Sequence, residues 1–296
     1  MYPDEFDYYT AESVGEALDL LDEHSDAETE LLAGGHSLLP AMKTGLSSPE
    51  VLIDISGVDA MHGIEVDDDT LSIGAMERYS ALTDSDEVAE HAPALAAAAQ
   101  QVGDVQVRNR GTLGGNLAHA DPAADLPAAA LASNVTLVAE GPDGERSIPA
   151  DDFFFGMYAT DLTPDELLTR VEIPSADGAV GTYAKKPSPS SGYAMVGVAA
   201  LLDTDDDTVE SASVGANGVM DHGVRLESVE DALAGGSLDD DSIEAAAGHA
   251  GDDLDVAMMM DDLQASNEFR AQLLEVYTER ALTSAMDADS ASAAAD

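Results

Sequence analysis

The sequence predicts an α+β chain of two domains, on three observations. Stretches of helical and strand periodicity alternate through the first 176 residues, the composition changes at Pro174 to Gly178, and beyond that break a run of strands precedes a run of helices. At 296 residues the chain is longer than a single core usually grows. Its 45% hydrophobic content is that of a globular protein, so the acidity described below does not imply disorder.

The first element is a short amphipathic helix after Thr10, an expected N-cap, with Val14, Ala17, Leu18 and Leu21 at helical spacing. Glu30 to Ala33 reads as a strand ending at Gly34 and Gly35, Ser37 to Lys43 as a short helix and Val51 to Ile55 as a second strand, so residues 1–60 form a βαβ-type unit. Thr70 to Ala75 is a strand and Val88 to Val102 an Ala-rich helix. Arg108 to Asn116 is a basic, glycine-containing loop, and Asp125 to Ala132 is another helix. Val135 to Glu140 and Glu145 to Pro149 flank a hairpin turn, and Leu167 to Ile173 closes the region. After the break, Gly181 to Lys185, Tyr193 to Leu202 and Val209 to Ala216 are strands; Ser228 to Ala234, Asp241 to Ala250 and Asn267 to Met286 are helices. The methionines Met258 to Met260 read as a helix-packing cluster, and Asp287 to Asp296 as a disordered acidic tail.

Sixty Asp and Glu against 11 Lys and Arg give a formal charge of −49, which repels itself in dilute buffer and is screened in molar salt. The charge therefore points to a salt-adapted environment. It argues against nucleic acid and anionic membranes as partners, since both recruit Lys and Arg. With no cysteine the chain can hold no disulfide, thiolate metal site or iron–sulfur cluster. Asp4, Glu5 and Asp7 stand where a signal peptide would be basic, and no apolar run reaches the length of a membrane span, so a cytoplasmic protein without membrane insertion is expected.

Chemistry concentrates in two double-glycine segments. Ala33, Gly34, Gly35, His36 and Ser37 lie between a strand and a helix, where backbone N–H groups can approach an anion and Ser37 can add a hydroxyl; the alternative is a tight turn. Gly111, Thr112, Leu113, Gly114, Gly115 and Asn116 repeat the pattern. Arg108 and Arg110 stand just before the second segment, and Lys185 with Lys186 is the only lysine pair, so four of the 11 cations fall in two short stretches. This combination suggests a pyrophosphate, although neither loop is a Rossmann or Walker fingerprint. No histidine has trustworthy metal-ligand spacing, so no metal site is expected.

AGGHSLLPAMK from Ala33, GTLGGN from Gly111 and DPAADLP from Asp121, in that order, resemble the FAD-binding medium subunit of molybdenum hydroxylases, with the aerobic carbon monoxide dehydrogenase branch nearer than xanthine dehydrogenase. The resemblance runs from the FDY start at Phe6, through VLIDIS at Val51, LLTRVEIP at Leu167 and GYA at Gly192, to Phe269 and Arg270. It implies a PCMH-type FAD-binding domain over residues 1–176, made of two α/β subdomains divided near residue 60. A C-terminal α+β domain with a small antiparallel sheet and helices would follow over 177–286.

The resemblance also implies noncovalent FAD, its pyrophosphate clamped by Ala33, Gly34, Gly35, His36, Ser37 and Leu38 and by Thr112, Leu113, Gly114, Gly115 and Asn116. Asp125 matches the family's acid on the flavin's sugar-alcohol chain, with a helix N-cap as the alternative. Lys185 matches a lysine near the flavin, where a cation would favour the anionic reduced ring; a solvent-facing strand residue is the alternative, and Lys186 a substitute. Tyr193 matches the aromatic beside the isoalloxazine and Leu168 a flavin contact, although either could be ordinary core. His119 is left without a role. Val102 stands where animal relatives carry an aromatic, and Pro187 to Ser191 lacks the family's basic residues, which leaves the packing of the ring open.

The family's partners are a molybdenum-cofactor large subunit and a small subunit with [2Fe-2S] clusters, assembled as a dimer of heterotrimers. The resemblance makes this chain an oxidoreductase subunit that takes electrons from those clusters and passes them to an external acceptor. The complex's substrate (CO, aldehyde, purine or other heterocycle) and its acceptor (quinone, O₂ or NAD) are left open. Two rivals are a self-contained flavin oxidoreductase and a flavin-free interaction subunit.

Overall fold

The computed structural model describes residues 2–176, 178–205 and 208–293. Its strands run β1 (Asp7–Thr10), β2 (Thr29–Leu32), β3 (Val51–Asp54), β4 (Ile64–Asp67), β5 (Thr70–Gly74), β6 (Thr136–Gly141), β7 (Gly144–Pro149), β8 (Phe154–Gly156), β9 (Ala159–Thr160), β10 (Leu167–Pro174), β11 (Val180–Pro187), β12 (Ala194–Asp205), β13 (Thr208–Asn217) and β14 (Val224–Arg225). The architecture is α+β, as the periodicity predicts.

β1, β3 and β2 form a parallel three-stranded sheet in that order. Parallel strands need crossover connections: the helix Val14–Glu23 carries the chain from β1 to β2, and the helix Leu38–Thr44 carries it from β2 to its neighbour β3. Ser13 caps the first of these helices, its hydroxyl accepting from the Glu16 N–H at 3.1 Å. The expected cap at Thr10 is therefore displaced by three residues: Thr10 is spent in β1, a strand too short and polar to show as one in the sequence. A second sheet, antiparallel, has the order β4-β5-β10-β6-β7, with Val171 opposite both Ile73 and Leu137 at its centre. A third, β11-β12-β13-β14, is also antiparallel.

The expected single helix over Val88 to Val102 is two helices, Asp86–His91 and Pro93–Gln101. Pro93 opens the second because its fixed φ and missing N–H suit a first turn, not an interior. The expected loop over Arg108 to Asn116 is mostly helical, with Val105–Arg108 and Leu113–His119 on either side of a short link. Asp104 and Thr112 cap them, accepting from the N–H groups of Gln106, Val107 and Gly115. The methionine cluster is not a helical face: Met259 is buried and Met258 exposed beside a short 3-10 turn. The last helix runs Asn267–Ala293, so residues 287–293 extend it where a disordered tail was expected; residues 294–296 lie outside the described residues. Ala and Asp tolerate helix once a packed helix precedes them, which composition alone cannot show.

Two hydrophobic cores follow chain order. One fills the first two sheets with the helices around them; the other lies between β12, β13 and the last three helices. Tyr183 and Ala199, from the third sheet, belong to the first core.

Candidate functional site

The two double-glycine segments meet. A Cβ on Gly34 would collide with the Arg110 carbonyl oxygen and the Gly111 Cα, and one on Gly114 would collide with Ala75. Both glycines are required by close backbone approach. Gly35 has φ +70°, a conformation L side chains rarely adopt. Where the segments converge, a cavity of about 530 Å³ opens between the first two sheets. It is lined by Ala33, Gly34, Gly35, His36, Ser37 and Leu38, by Gly111, Thr112, Gly114, Gly115 and Asn116, and by Leu168.

The segments differ in what they offer. Among the described residues, the backbone N–H groups of Gly34, Gly35, His36, Ser37 and Leu38 meet no protein acceptor, whereas Leu39 and Ala41 donate normally to Gly35 and Ser37. Consecutive unsatisfied donors facing a cavity are a cradle for an anion. In the second segment the N–H of Leu113 bonds Glu77, Gly114 bonds Ala75 at 2.7 Å, and Gly115 and Asn116 bond Thr112. Its donors are consumed by the fold, so it contributes closure and side chains. Asn116 Nδ2 donates to the Tyr79 hydroxyl at 3.0 Å, while its Oδ1 is buried without a partner. Burial holds Tyr79 far above the ordinary phenol range, so it stays protonated while its oxygen accepts that bond. Asn116 therefore retains one unused polar atom at the cavity wall.

Leu113, Asp125, Lys185 and Tyr193 do not line the cavity. Leu113 is buried core. Asp125 precedes the helix Leu126–Ala132 without capping it. Its carboxylate turns instead to the third sheet, with Oδ1 accepting from the Tyr183 hydroxyl at 2.6 Å and Oδ2 from Lys185 Nζ at 2.8 Å. Lys185 also donates to the carbonyls of Gln101 (2.9 Å) and Gly192 (3.0 Å). Both charged side chains are 6% exposed. Burial pushes the Asp125 carboxyl up against the opposing pull of Lys185, and pushes the Tyr183 phenol well up.

The same region fastens the turn that carries Tyr193. Ala194 N donates to Ala123 O and Gly218 N to Pro122 O, so residues 121–125 are stitched to β12 and β13. Tyr193 is 43% exposed; burial and the carboxylates of Asp121 and Asp125 raise its pKa against the opposing pull of the nearby Ser37 hydroxyl. It therefore stands beside the first glycine segment although it comes from the other end of the chain.

Sequence reasoning missed several cavity residues. Tyr79, Met76, Tyr158, Thr163 and Glu166 line it, as does His119, to which the sequence assigns no role. The His119 ring lies 4.9 Å from that of Tyr158, and burial lowers its pKa against the pull of Asp121. Tyr158 has a positive φ of 57° in the β8–β9 hairpin. Only that hairpin's glycine and aromatic run could have hinted at it. Among the described residues no group of three or more His, Asp or Glu is placed for a metal ion, and no helix is long and apolar enough to cross a membrane.

A donor cradle closed by two mutually dependent glycine segments, on an α+β scaffold with an antiparallel C-terminal sheet, is the arrangement of a flavin-binding oxidoreductase subunit. Residues 4–176 match the FAD binding domain in molybdopterin dehydrogenase, and residues 181–285 match the CO dehydrogenase flavoprotein C-terminal domain. The chain belongs to this family of molybdenum-hydroxylase flavoproteins, and its N-terminal part is an FAD-binding domain. It is 36% identical to the carbon monoxide dehydrogenase medium chain of Hydrogenophaga pseudoflava, over 96% of this chain and 98% of the relative. It is 34% identical to the glyceraldehyde dehydrogenase medium chain of Sulfolobus acidocaldarius, over 95% and 98%. Among solved structures, carbon monoxide dehydrogenase from Hydrogenophaga pseudoflava superposes with a TM-score of 0.91 at 36% identity, covering 97% of this chain and 99% of that one. Quinoline 2-oxidoreductase from Pseudomonas putida gives 0.90 at 30%, covering 98% and 99%.

Proposed function

We propose that this chain is the FAD-carrying electron-transfer subunit of a multi-subunit molybdenum hydroxylase, holding FAD noncovalently with the pyrophosphate on the N–H groups of Gly34 to Leu38. The observation that carries this reading is the row of unsatisfied donors on the cavity wall. When bound, FAD supplies a carrier that accepts and releases electrons one or two at a time. The chain's own residues bind and orient it: the first segment receives the phosphates, Thr112 and Asn116 add polar side chains, and Leu168 packs the wall. Asp125 and Lys185 act through position, holding the Tyr193 turn against Ser37.

The molybdenum cofactor and [2Fe-2S] clusters belong to large and small partner subunits, in a dimer of heterotrimers, with residues 1–176 binding FAD and 177–286 forming the second domain. A chain without cysteine must receive electrons from clusters held elsewhere. The −49 charge supports a salt-rich setting.

The test is an absorption spectrum of the chain purified in molar KCl, before and after heat or acid release. Flavin bands released as FAD from the wild type, reduced in Asn116→Ala and absent from a folded Gly114→Val, Gly115→Val variant, are expected. A folded wild type that stays colourless after added FAD would leave the interaction-subunit reading standing. Turnover of a small substrate without partner chains would favour the self-contained oxidoreductase.

A further inference from the structure

Among the described residues, four that are not glycine have a positive φ, and three of them have a local reason for it. Asp68 and Asn134 belong to the residue types whose short polar side chains tolerate the left-handed region. Ala120, which is buried, is the C-cap of the helix Leu113–His119, its N–H donating to the carbonyls of Asn116 and Leu117. Tyr158, at +57°, has no such reason. With Phe154 paired to Thr160 and Gly156 to Ala159, Met157 and Tyr158 are the two turn residues of the β8–β9 hairpin. A positive φ at the second of these places is ordinarily given to Gly or Asn, so an aromatic there is strained.

Burial does not offset the strain, because Tyr158 is 57% exposed. The fold nevertheless holds it in place. Tyr158 N donates to the Ala120 carbonyl at 3.2 Å, which ties one left-handed residue to another. At the foot of the hairpin Phe153 and Phe154 are buried, and Asp161, paired with Arg146, donates from its N–H to Phe153 O at 3.0 Å. The ring so fixed lies 4.9 Å from that of His119, a half-buried residue at the end of the helix that carries the second glycine segment, and both residues line the cavity. Burial and the Asp121 carboxylate raise the Tyr158 phenol, and burial lowers the His119 imidazole, so near neutral pH both rings are uncharged.

We infer that Tyr158, backed by His119, is the stacking face for a planar ring of the cofactor in this cavity, which makes it a specificity-determining residue that no sequence motif marks. Uncharged aromatic faces stack on planar rings, and a ring lying there covers phenol surface that the folded chain alone leaves exposed. The strain at Tyr158 is then offset on binding and not on folding, as strained residues at ligand sites are. FAD carries two such rings, isoalloxazine and adenine, and either would stack in the same way. The inference rests on FAD as the occupant, and the test below reads that separately.

The experiment measures dissociation constants for FAD, ADP and FMN by titration calorimetry, and urea unfolding of the FAD-free chain, all in molar KCl. It compares wild type, Tyr158→Gly, Tyr158→Asn, Tyr158→Phe and Phe155→Ala, a control on the same hairpin at an exposed residue that does not line the cavity. Expected in the Gly and Asn variants is an FAD dissociation constant raised about tenfold or more, with a urea midpoint equal to or above that of wild type, because both residues adopt a positive φ readily. Tyr158→Phe and the control should bind FAD like wild type. A loss that falls on ADP and spares FMN assigns the adenine to Tyr158, and one that falls on FMN and spares ADP assigns the isoalloxazine. Unchanged FAD affinity in both the Gly and Asn variants overturns the inference. So does a loss shared equally by ADP and FMN or accompanied by a lowered urea midpoint, which would make Tyr158 a prop of the hairpin, and so does a loss in Tyr158→Phe as large as in Tyr158→Gly. A wild type that takes up no FAD overturns the flavin reading and this inference with it, whereas a wild type that binds FAD beside indifferent variants overturns this inference alone.

Discussion

Removing Lys185 should expose how much of the site's geometry hangs on one buried ion pair. In Lys185→Met the Asp125 carboxylate keeps only the Tyr183 hydroxyl, at a position 5% exposed, so solvent cannot take over from the ammonium. Stranding a buried charge costs about 3–5 kcal/mol, and the lost bonds to the Gln101 and Gly192 carbonyls place the effect toward the upper half of that range. Asp125→Leu strands the ammonium in the same way. The double variant strands nothing, so its cost should fall short of the sum of the single costs by about 2 kcal/mol or more. The assay is urea unfolding of all four proteins at fixed molar KCl. The pH dependence supplies a second check. Without Lys185 the native carboxyl has a pKa raised above its unfolded value, so the folded state binds the extra proton. Because burial already raises this carboxyl in the wild type, the deficit of Lys185→Met must then shrink as pH falls through the window between the variant's native pKa and the lower wild-type native pKa. Single costs that simply add, or a deficit that grows on acidification, would refute the buried-pair reasoning.

Three further expectations follow from the same geometry. Gly34→Ala drives a methyl into the Arg110 carbonyl, so it should cost about 1–3 kcal/mol in urea unfolding and release FAD on gel filtration; full FAD retention would show that the two segments do not need their contact. Arg146 holds the Glu166 carboxyl down at about 2. A depressed carboxyl contributes stability above its unfolded pKa and loses it as pH falls toward about 2. Wild type should therefore lose its advantage over Glu166→Gln between about pH 4.5 and pH 2, an advantage of about 1 kcal/mol given the half-exposed Arg146. Arg270 is 2% exposed and donates to the carbonyls of Met195 (2.5 Å) and Gly218 (2.6 Å) and to Asp262. Arg270→Leu should cost about 3 kcal/mol or more, and should also lower FAD affinity, because those carbonyls lie in the segments stitched to residues 121–125. Stability loss with unchanged FAD affinity would confine Arg270 to the core.

Much of this was legible in the amino-acid order. The glycine pairs, the Ala-rich helices, the hairpin at Gly141 to Gly144 and the composition break after Pro174 are local signals, set by φ preferences, turn chemistry and hydrophobic period that a segment expresses alone. For the same reason, ordered motifs could identify the family and nominate both cavity segments. Local signals also misled where a neighbour overrode them. Thr10 reads as a cap but is held in a strand by β3, and residues 287–293 read as part of a disordered tail but continue a helix already anchored by packing.

What tertiary structure alone decided is which polar groups are left over. The two glycine segments are near twins in sequence, yet the fold consumes the N–H groups of Gly114 and Gly115 and leaves those of Gly34 to Leu38 free. Asp125 and Lys185 are 60 residues apart and each had a reasonable local role, as cap and as surface strand residue. Their 2.8 Å bond exists only because the third sheet closes on the first domain. Satisfaction of a donor or a charge is a property of what arrives from elsewhere in the chain, and no local pattern of residues encodes it.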